Sequence, residues 1–365
     1  MKKILFRALV CLTLLSTLAS APVWDFSGRR SIEEGDAAAV NKESLNVTVS
    51  SRLWELLRGN DEEERTMLIP GGTVFGAKVY DGALTVTSPG ELHSVRAGDK
   101  LLMLDGIEVK TVADVRGILD TCGGKELVAV ICRGNERFDV RITPTQSADT
   151  FRLGIQLKDS TVGIGTITYI DPKTYEFGGL GHGICDGETG KVINITGGTV
   201  TGVILSGCKK GEAGKPGELS GILTDKSLGE VYANTELGLF GRLAAIPEGK
   251  MERVKIAKRS EVHTGRATVI STVKNGKSAK YDIEITELDT SSTGTKCFKI
   301  HVTDPTLIAL TGGIVRGMSG SPIIQDGRLI GAVTHVMVAD PTEGYGIFIE
   351  NMLNAAQGEV QPKAA

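Results

Sequence analysis

Glycine is the residue that most constrains the fold of this chain. The 365 residues include 47 glycines, against nine Phe, six Tyr and two Trp. Short apolar runs recur between the glycines, for example over residues 162–169 and 199–205. Runs of this length, separated by turn residues, are typical of β-strands and argue against a helical bundle. We therefore expect a mainly β protein whose short antiparallel strands close into a barrel or a pair of barrels.

Two dipeptides indicate where strands turn back on themselves. Asn275-Gly276 separates the apolar runs 267–273 and 280–285, and Asp326-Gly327 separates two further runs. Asn-Gly and Asp-Gly readily adopt the left-handed backbone conformations that two-residue hairpin loops require. Both dipeptides therefore predict β-hairpins.

The N-terminus has the sequence pattern of an export signal. Met1-Lys2-Lys3 precedes a mostly apolar run, 8–21, which ends in Ala19-Ser20-Ala21. Positive charge, an apolar centre and small terminal residues together form a signal peptide. Residues 1–21 are thus predicted to be a signal peptide, with an uncleaved membrane anchor as the alternative. Membrane contact is expected through this segment only.

Composition argues against several kinds of site. A net charge of -3 and a pI near 6.0 give no reason to expect nucleic-acid binding. Five cysteines remain after the export signal, an odd number without Cys-x-x-Cys spacing, so neither a disulfide framework nor a zinc site is indicated. They are Cys122, Cys132, Cys185, Cys208 and Cys297.

The first folded unit is predicted over residues 66–145, after a tether and charged linker at 22–65. It contains the run "AGDKLLMLDG" and then a helical pattern in which Val112, Val115 and Ile118 share one face. This unit resembles a PDZ domain. A structural β-module without a ligand is the alternative.

The PDZ resemblance implies a peptide ligand. It places the loop that binds the peptide carboxylate at residues 70–76, where the ligand adds a strand to the sheet edge. The loop residues implied in this way are Gly71, Gly72, Phe75 and Gly76.

A second folded unit, predicted over residues 146–358 before a polar tail at 359–365, contains a turn suited to acyl transfer. This turn reads "GMSGSP" and carries Ser319 between glycines. Such a turn can expose the serine hydroxyl while backbone N–H groups point at one spot. Ser319 is therefore a candidate nucleophile, and the N–H groups of Gly317 and Ser319 are candidate oxyanion donors.

A serine nucleophile needs a base, and His182 is the strongest candidate. The run "GLGHGICD" brackets it with glycines, which leaves the imidazole exposed and makes room for a substrate chain. His335, on a predicted strand after the nucleophile hairpin, is the alternative base. The other three histidines are not favoured; they are His93, His263 and His301.

A third residue should orient the imidazole. Asp304 lies at a predicted strand end, fifteen residues before Ser319, and Asp186 and Asp225 are the alternatives. The order His, Asp, Ser is that of chymotrypsin-like peptidases, although triads are defined by geometry and not by order.

Four segments together resemble the sporulation stage IV B peptidase family. They are "GLGHGICD", "KKGEAGKPGEL", "NTELGLFGRL" and the long run from "VTDPTLIAL" through "GMSGSP" to "IFIENML". The resemblance implies a PDZ-like domain followed by a chymotrypsin-like double β-barrel. It also implies Ser319 as nucleophile, His182 as base and Asp304 as the acid, with no metal or organic cofactor.

The resemblance further implies a role in sporulation. Such peptidases are exported from the forespore into the space between the two membranes. There they cut themselves and a membrane-anchored inhibitory partner of an intramembrane protease, which activates a late sigma factor in the mother cell. The charged segment 61–65 is a candidate self-cleavage zone because it is expected to be accessible.

Two other functions stay open at this point. The chain could be a non-catalytic PDZ scaffold of the cell envelope, with the barrels as an inactive fold. It could also be an envelope quality-control protease, although those proteins place the protease before the PDZ domain.

Overall fold

The computed structural model describes residues 67–148, 150–187, 189–247, 249 and 252–358. The predicted signal peptide, the tether with its candidate self-cleavage zone and the polar tail lie outside these residues. Within the described residues, no helix is both long enough and apolar enough to cross a bilayer.

A closed barrel of six strands forms the first half of the main body. Its strands pair in the cyclic order β11–β2–β13–β14–β15–β12, because β11 pairs with both β2 and β12. They are β2 (Val74–Tyr80), β11 (Thr161–Ile170), β12 (Glu176–Gly179), β13 (Gly197–Lys209), β14 (Glu218–Thr235) and β15 (Gly238–Leu243).

A second closed barrel of six strands follows along the chain. The cyclic order is β21–β20–β17–β18–β19–β22, closed by the pairing of β22 with β21. Its strands are β17 (Gly265–Lys274), β18 (Lys277–Leu288), β19 (Phe298–Val302), β20 (Pro322–Gln325), β21 (Arg328–Met337) and β22 (Asp340–Phe348). Two short strands, β1 (Met67–Pro70) and β16 (Val254–Ile256), pair with each other and connect the barrels between β11 and β21. The prediction of a double β-barrel is thereby confirmed.

Alternating side chains and left-handed turns build the second barrel. Along β18, Tyr281, Ile283 and Ile285 are buried while the residues between them are exposed, as a half-buried strand requires. The predicted Asn275-Gly276 hairpin joins β17 to β18 with positive φ at both residues. Asp326-Gly327 joins β20 to β21 in the same way. Both hairpin predictions are confirmed.

A smaller sheet with its own core lies outside the barrels. Its strands run in the order β10–β3–β4–β6–β7, and β5 pairs with β4. The ranges are β3 (Leu84–Ser88), β4 (Lys100–Leu104), β5 (Ile107–Glu108), β6 (Leu127–Arg133), β7 (Glu136–Ile142) and β10 (Gln156–Lys158). A separate two-stranded hairpin joins β8 (Thr145–Ser147) to β9 (Thr150–Arg152). We call β3–β10, with the helix between β5 and β6, the inserted module.

The helix of the inserted module confirms the apolar periodicity seen in the sequence. Helix α1 (Val112–Thr121) buries Val115 and Leu119 and begins with a capping box between Thr111 and Asp114. A 3₁₀ turn, Arg259–Glu261, precedes the second barrel. Helix α2 (Pro305–Thr311) leads into the nucleophile turn, and α3 (Ile349–Ala356) follows β22.

The pairing of β2 corrects the predicted domain boundaries. Residues 66–145 were expected to form the first unit and residues 146–358 the second. Instead β1 and β2 belong to the barrels, where β2 lies between β11 and β13. The module therefore interrupts the first barrel between β2 and β11 and does not precede it. A single sequence did not show this, because the glycine-rich strand β2 resembles a PDZ loop as closely as it resembles a barrel strand.

Candidate active site

Ser319 lies on a tight turn between helix α2 and strand β20. Gly317 and Gly320 flank it with φ of 97° and 91°, values that side-chain-bearing residues rarely adopt. The Ser319 hydroxyl is partly exposed and donates to the Thr334 carbonyl oxygen at 2.8 Å. By contrast, the second serine of the turn, Ser321, is fully buried and its hydroxyl bonds Ser271. Ser319 is thus the accessible hydroxyl of this turn.

Two backbone N–H groups of the turn are available to a ligand. The Met318 and Gly320 N–H groups donate to the carbonyls of Val315 and Val333. Those of Gly317 and Ser319 donate to no acceptor in the part of the chain that the structure describes. These are the two donors expected from the sequence, and an oxyanion hole needs donors that the fold has not already used.

Strand β11 of the first barrel fixes this turn of the second barrel. The Thr166 hydroxyl donates to the Gly317 carbonyl at 2.8 Å, and the Thr166 N–H donates to the Ser319 carbonyl at 2.9 Å. The Thr168 hydroxyl donates to the Gly320 carbonyl at 2.7 Å. Sequence reasoning missed both threonines. Their only signal is the alternation Thr-Ile-Thr, which by itself indicates an ordinary strand.

His182 lies on a glycine-rich loop directly after β12. Leu180 and Gly181 both have φ of 67°, so the chain turns sharply before the imidazole. The His182 Nδ1 atom lies 2.9 Å from the Gly183 carbonyl oxygen. A carbonyl can only accept, so Nδ1 carries the proton and Nε2 keeps its lone pair. This tautomer is the one that a general base requires.

His335 stands beside His182. The two rings are 5.4 Å apart between centroids, and His335 lies on β21 next to Thr334, the residue that accepts the Ser319 hydroxyl. Burial, the neighbouring His182 and Lys296 lower the pKa of His335 to about 4, so it is neutral at physiological pH. The alternative base therefore lies beside His182 on β21, the second strand of the hairpin that follows the nucleophile turn.

Ser319 and His182 approach the same short segment of β21. Ser319 bonds the Thr334 carbonyl, and Gly181 packs so closely on the Thr334 side chain that an added Cβ would lie 2.9 Å from its methyl group. The structure records no direct hydrogen bond between Ser319 and His182. Catalytic hydrogen bonds in substrate-free enzymes are often long and tighten when substrate binds.

The structure does not place Asp304 beside His182, and this corrects the expected triad. Asp304 is the N-cap of helix α2, where one carboxylate oxygen accepts from the N–H groups of Thr306 and Leu307. Its other oxygen accepts from the Asp282 N–H. Asp304 lies before Pro305, and an aspartate before a proline at a helix start is a capping signal.

The alternative carboxylates do not reach the base either. Asp186 accepts from Thr189 within its own turn, and Asp225 is exposed on β14. Among the described residues, no carboxylate hydrogen-bonds His182.

The residues expected to form a PDZ loop belong to the barrel body: Phe75 and Gly76 lie on β2, and Gly71 and Gly72 lie in the link between β1 and β2. The Gly71 and Gly72 N–H groups donate to the carbonyls of Thr168 and Ile167. Phe75 is 1% exposed in the barrel core, and an added Cβ on Gly76 would lie 2.7 Å from neighbouring side chains. These four residues serve barrel packing, so their assignment to a peptide-binding loop is wrong.

Comparison with models of known protein families shows which family matches this chain. The family model described as SpoIVB peptidase S55 matches residues 149–353, more than half of the chain. The chain belongs to the SpoIVB peptidase family. It is accordingly a serine peptidase of a sporulation family, and the family match spans both the His182 loop and the Ser319 turn.

Solved structures give more distant similarities. The chain is 14% identical to the Rv3671c protease in its inactive form, over 54% of this chain and 85% of that one, with a TM-score of 0.33. It is 16% identical to the active form of the Rv3671c protease from M. tuberculosis, over 56% and 78% of the two chains, with a TM-score of 0.32. A search of curated proteins returned no significant match.

Three histidines should titrate in a fixed order. Burial lowers the pKa of His182 below its ordinary 6.5, although the bond to Gly183 partly opposes this. The bonds of His263 to Thr264 and Asp326 raise its pKa. NMR titration of the Ser319→Ala protein should therefore show His263 protonating first as pH falls, then His182 below pH 6.5, and His335 near pH 4.

The same order predicts the pH dependence of catalysis. Only neutral His182 can accept a proton, so the acid limb of kcat/KM should have its midpoint below 6.5 and follow the His182 titration. A midpoint above 6.5, or one that follows His263, would contradict the environment described for His182.

Proposed function

We propose that this protein is an exported sporulation serine endopeptidase in which Ser319 is the nucleophile and His182 the general base. The single observation that carries this assignment is the composition of the cleft. An accessible serine hydroxyl, two unused N–H groups and a histidine in the base tautomer all belong to loops that meet at Thr334.

The mechanism follows from these groups. On substrate binding, His182 Nε2 takes the hydroxyl proton of Ser319, and Oγ attacks the scissile carbonyl carbon. The N–H groups of Gly317 and Ser319 stabilise the oxyanion, and His182 then protonates the leaving amine. Water repeats the sequence on the acyl-enzyme. Both backbone donors are held by the fold beforehand, so they need no reorganisation during the reaction.

We further propose that the peptidase cleaves itself and an inhibitory partner of an intramembrane protease. In this role it signals from forespore to mother cell and leads to activation of a late sigma factor. The membership in a sporulation family and the export signal predicted at residues 1–21 support this role. It implies export into the space between the two forespore membranes, with the N-terminal segment as an anchor before processing.

The inserted module is proposed to bind a peptide terminus at strand β10. This strand is an edge of the module sheet, paired with β3 on one side only. Gly154 precedes it with φ of 76°, and the N–H groups of Gly154 and Ile155 have no acceptor among the described residues. An edge strand that follows a turn with unused N–H groups suits a peptide carboxylate and strand addition.

Helix α1 shares a core with this edge strand. Ile155 and Leu157 pack on the same core as Val112 and Ile118 of the helix, and all four keep partly exposed surface. Just beyond β10, Asp159 accepts from the Val112 N–H, which ties the strand to the helix start. The partly exposed side chains of these four residues are apolar, so the proposed ligand is a C-terminal peptide that ends in an apolar residue.

Two serine variants test the peptidase assignment. Ser319→Ala should lower kcat/KM by several orders of magnitude, because nucleophile and base act as a unit. Ser321→Ala should retain activity, since its hydroxyl is buried against Ser271. The measurements are cleavage of a purified candidate substrate and intact mass with N-terminal sequencing of the secreted protein.

The possible results distinguish the peptidase assignment from the proposed signalling role. Equal mass and equal substrate cleavage for wild type and Ser319→Ala would reject the peptidase assignment in favour of a scaffold. Serine-dependent cleavage without restored late sigma-factor activity, in a spore-former that lacks its own family member, would reject only the signalling role.

Two glycine variants test the peptide site in the Ser319→Ala background. Gly154→Ala and Gly134→Ala both place alanine at positive φ in open space within the module, so both should cost about 1–2 kcal/mol of stability. Only Gly154→Ala should weaken binding of a labelled apolar-ended peptide, by about tenfold, measured by fluorescence anisotropy. If amidation of the peptide terminus leaves affinity unchanged, or both variants bind equally, β10 is not the carboxylate site.

A further inference from the structure

The Nδ1 atom of the proposed base contacts a backbone carbonyl, whereas in a Ser-His-Asp triad it contacts a carboxylate. His182 Nδ1 donates to the Gly183 carbonyl oxygen at 2.9 Å, and no carboxylate of the described residues contacts the imidazole. The orientation of that carbonyl therefore decides which way the imidazole faces. The peptide unit between Gly183 and Ile184 could rotate if no hydrogen bond held it, so other residues must fix its orientation.

Asn234, at the end of β14, holds that segment by its side chain. The Oδ1 atom accepts from the Ile184 N–H at 2.8 Å, which fixes the peptide unit that contains the Gly183 carbonyl. The Nδ2 group donates to the Ile184 and Ile193 carbonyls, both at 2.9 Å. One amide thus makes three hydrogen bonds and binds two points of the 183–193 segment.

Backbone contacts near Asn234 also hold the loop that begins at Gly183. An added Cβ on Gly183 would lie 2.6 Å from the Thr235 carbonyl oxygen and 2.8 Å from the Val192 side chain. Ile193 donates to the Ile184 carbonyl, and Cys185 forms a bridge with Val192. The loop is therefore pinned between its own short hairpin and the β14–β15 turn.

We propose that Asn234 is the positioning residue of the catalytic base: it fixes the Gly183–Ile184 peptide so that the Gly183 carbonyl holds His182 in the Nδ1–H tautomer. The catalytic unit is then a Ser319–His182 pair oriented by the main chain. This inference rests on the proposed function, because it concerns the base assigned there.

An aspartate at this position could not replace Asn234. A carboxylate could accept from the Ile184 N–H, but its second oxygen would face the carbonyls of Ile184 and Ile193 without a proton to share. The amide is required because the Ile184 N–H needs one acceptor and the carbonyls of Ile184 and Ile193 need two donors.

The direct test is the tautomer of His182 in the full-length Ser319→Ala protein. Histidine side-chain nitrogens are labelled with ¹⁵N, and His182→Gln assigns the resonance. The otherwise unaltered chain should show the Nδ1–H form. Asn234→Ala and Asn234→Asp should both shift the population toward the Nε2–H form, which predominates in free imidazole side chains.

Two further variants complete the tautomer test. Asn351→Ala removes an asparagine that likewise donates to loop carbonyls, those of Ser292 and Gly294, and should leave the His182 tautomer unchanged. Asp304→Asn, which can still cap helix α2, should also leave it unchanged. A tautomer that responds to Asp304→Asn and not to Asn234→Ala would overturn the proposal.

Kinetics with Ser319 intact provide the second readout. Asn234→Ala should lower kcat by about 10–100-fold with KM within about twofold, because misplacing a base affects the reaction more than binding. If Asn234→Ala keeps the kcat and the His182 tautomer of the wild type, the positioning role of Asn234 is rejected. The peptidase assignment would still stand. Absence of serine-dependent cleavage in the wild type would instead reject the proposed function.

Discussion

Three hydrogen bonds from strand β11 of the first barrel hold the nucleophile turn of the second barrel, and the active site depends on them. Thr166 and Thr168 donate to the carbonyls of residues 317, 319 and 320. These bonds hold the carbonyls of Gly317 and Ser319, the two residues whose N–H groups are the oxyanion donors. The Arg316 carbonyl, in the same peptide unit as the Gly317 N–H, accepts from the Leu219 N–H of β14, another strand of the first barrel. The bonds are buried, so losing one would leave a carbonyl without a partner, at a cost of about 1–3 kcal/mol. The placement of the oxyanion donors therefore depends on the first barrel, although the donors lie in the second.

The same strand also explains the position of the inserted module. The module leaves the first barrel after β2 and returns at β11, and these two strands pair antiparallel from Val79 and Thr161 inward. The first barrel is thus assembled from segments on both sides of the module. Residues 67–80 are part of the catalytic body, so a fragment that begins after the module would lack a strand of the barrel that holds the Ser319 turn.

Local patterns were sufficient to predict the elements and the two central residues. The Asn275-Gly276 and Asp326-Gly327 hairpins, the face of α1 and the mainly β character follow from backbone preferences that act over a few residues. Ser319 and His182 could be singled out because flanking glycines mark loops where a side chain must be accessible. The structure places both on glycine-rich loops, with each residue partly buried and the imidazole of His182 less exposed than its sequence indicated.

The partners of these residues could not be predicted, because they depend on contacts distant in the sequence. Thr166 lies 151 residues from Gly317, and Asn234 lies 50 residues from Ile184. Asp304 was favoured by chain order and resemblance, whereas its local sequence already matched a helix cap. The loop at 70–76 was misassigned because glycines for close strand packing and glycines for a carboxylate loop look alike in one sequence.

The central claim is that the first barrel holds the oxyanion donors of the second, and Thr166→Val tests it most directly. The matched control is Thr201→Val, which removes a buried hydroxyl from the same barrel whose bond goes to the Gly76 carbonyl. Steady-state kinetics and thermal unfolding are measured for both. We expect both to unfold at lower temperature and Thr166→Val alone to lower kcat, by about tenfold or more, with little change in KM. Wild-type kcat in a folded Thr166→Val protein, or an equal loss in Thr201→Val, would contradict the account.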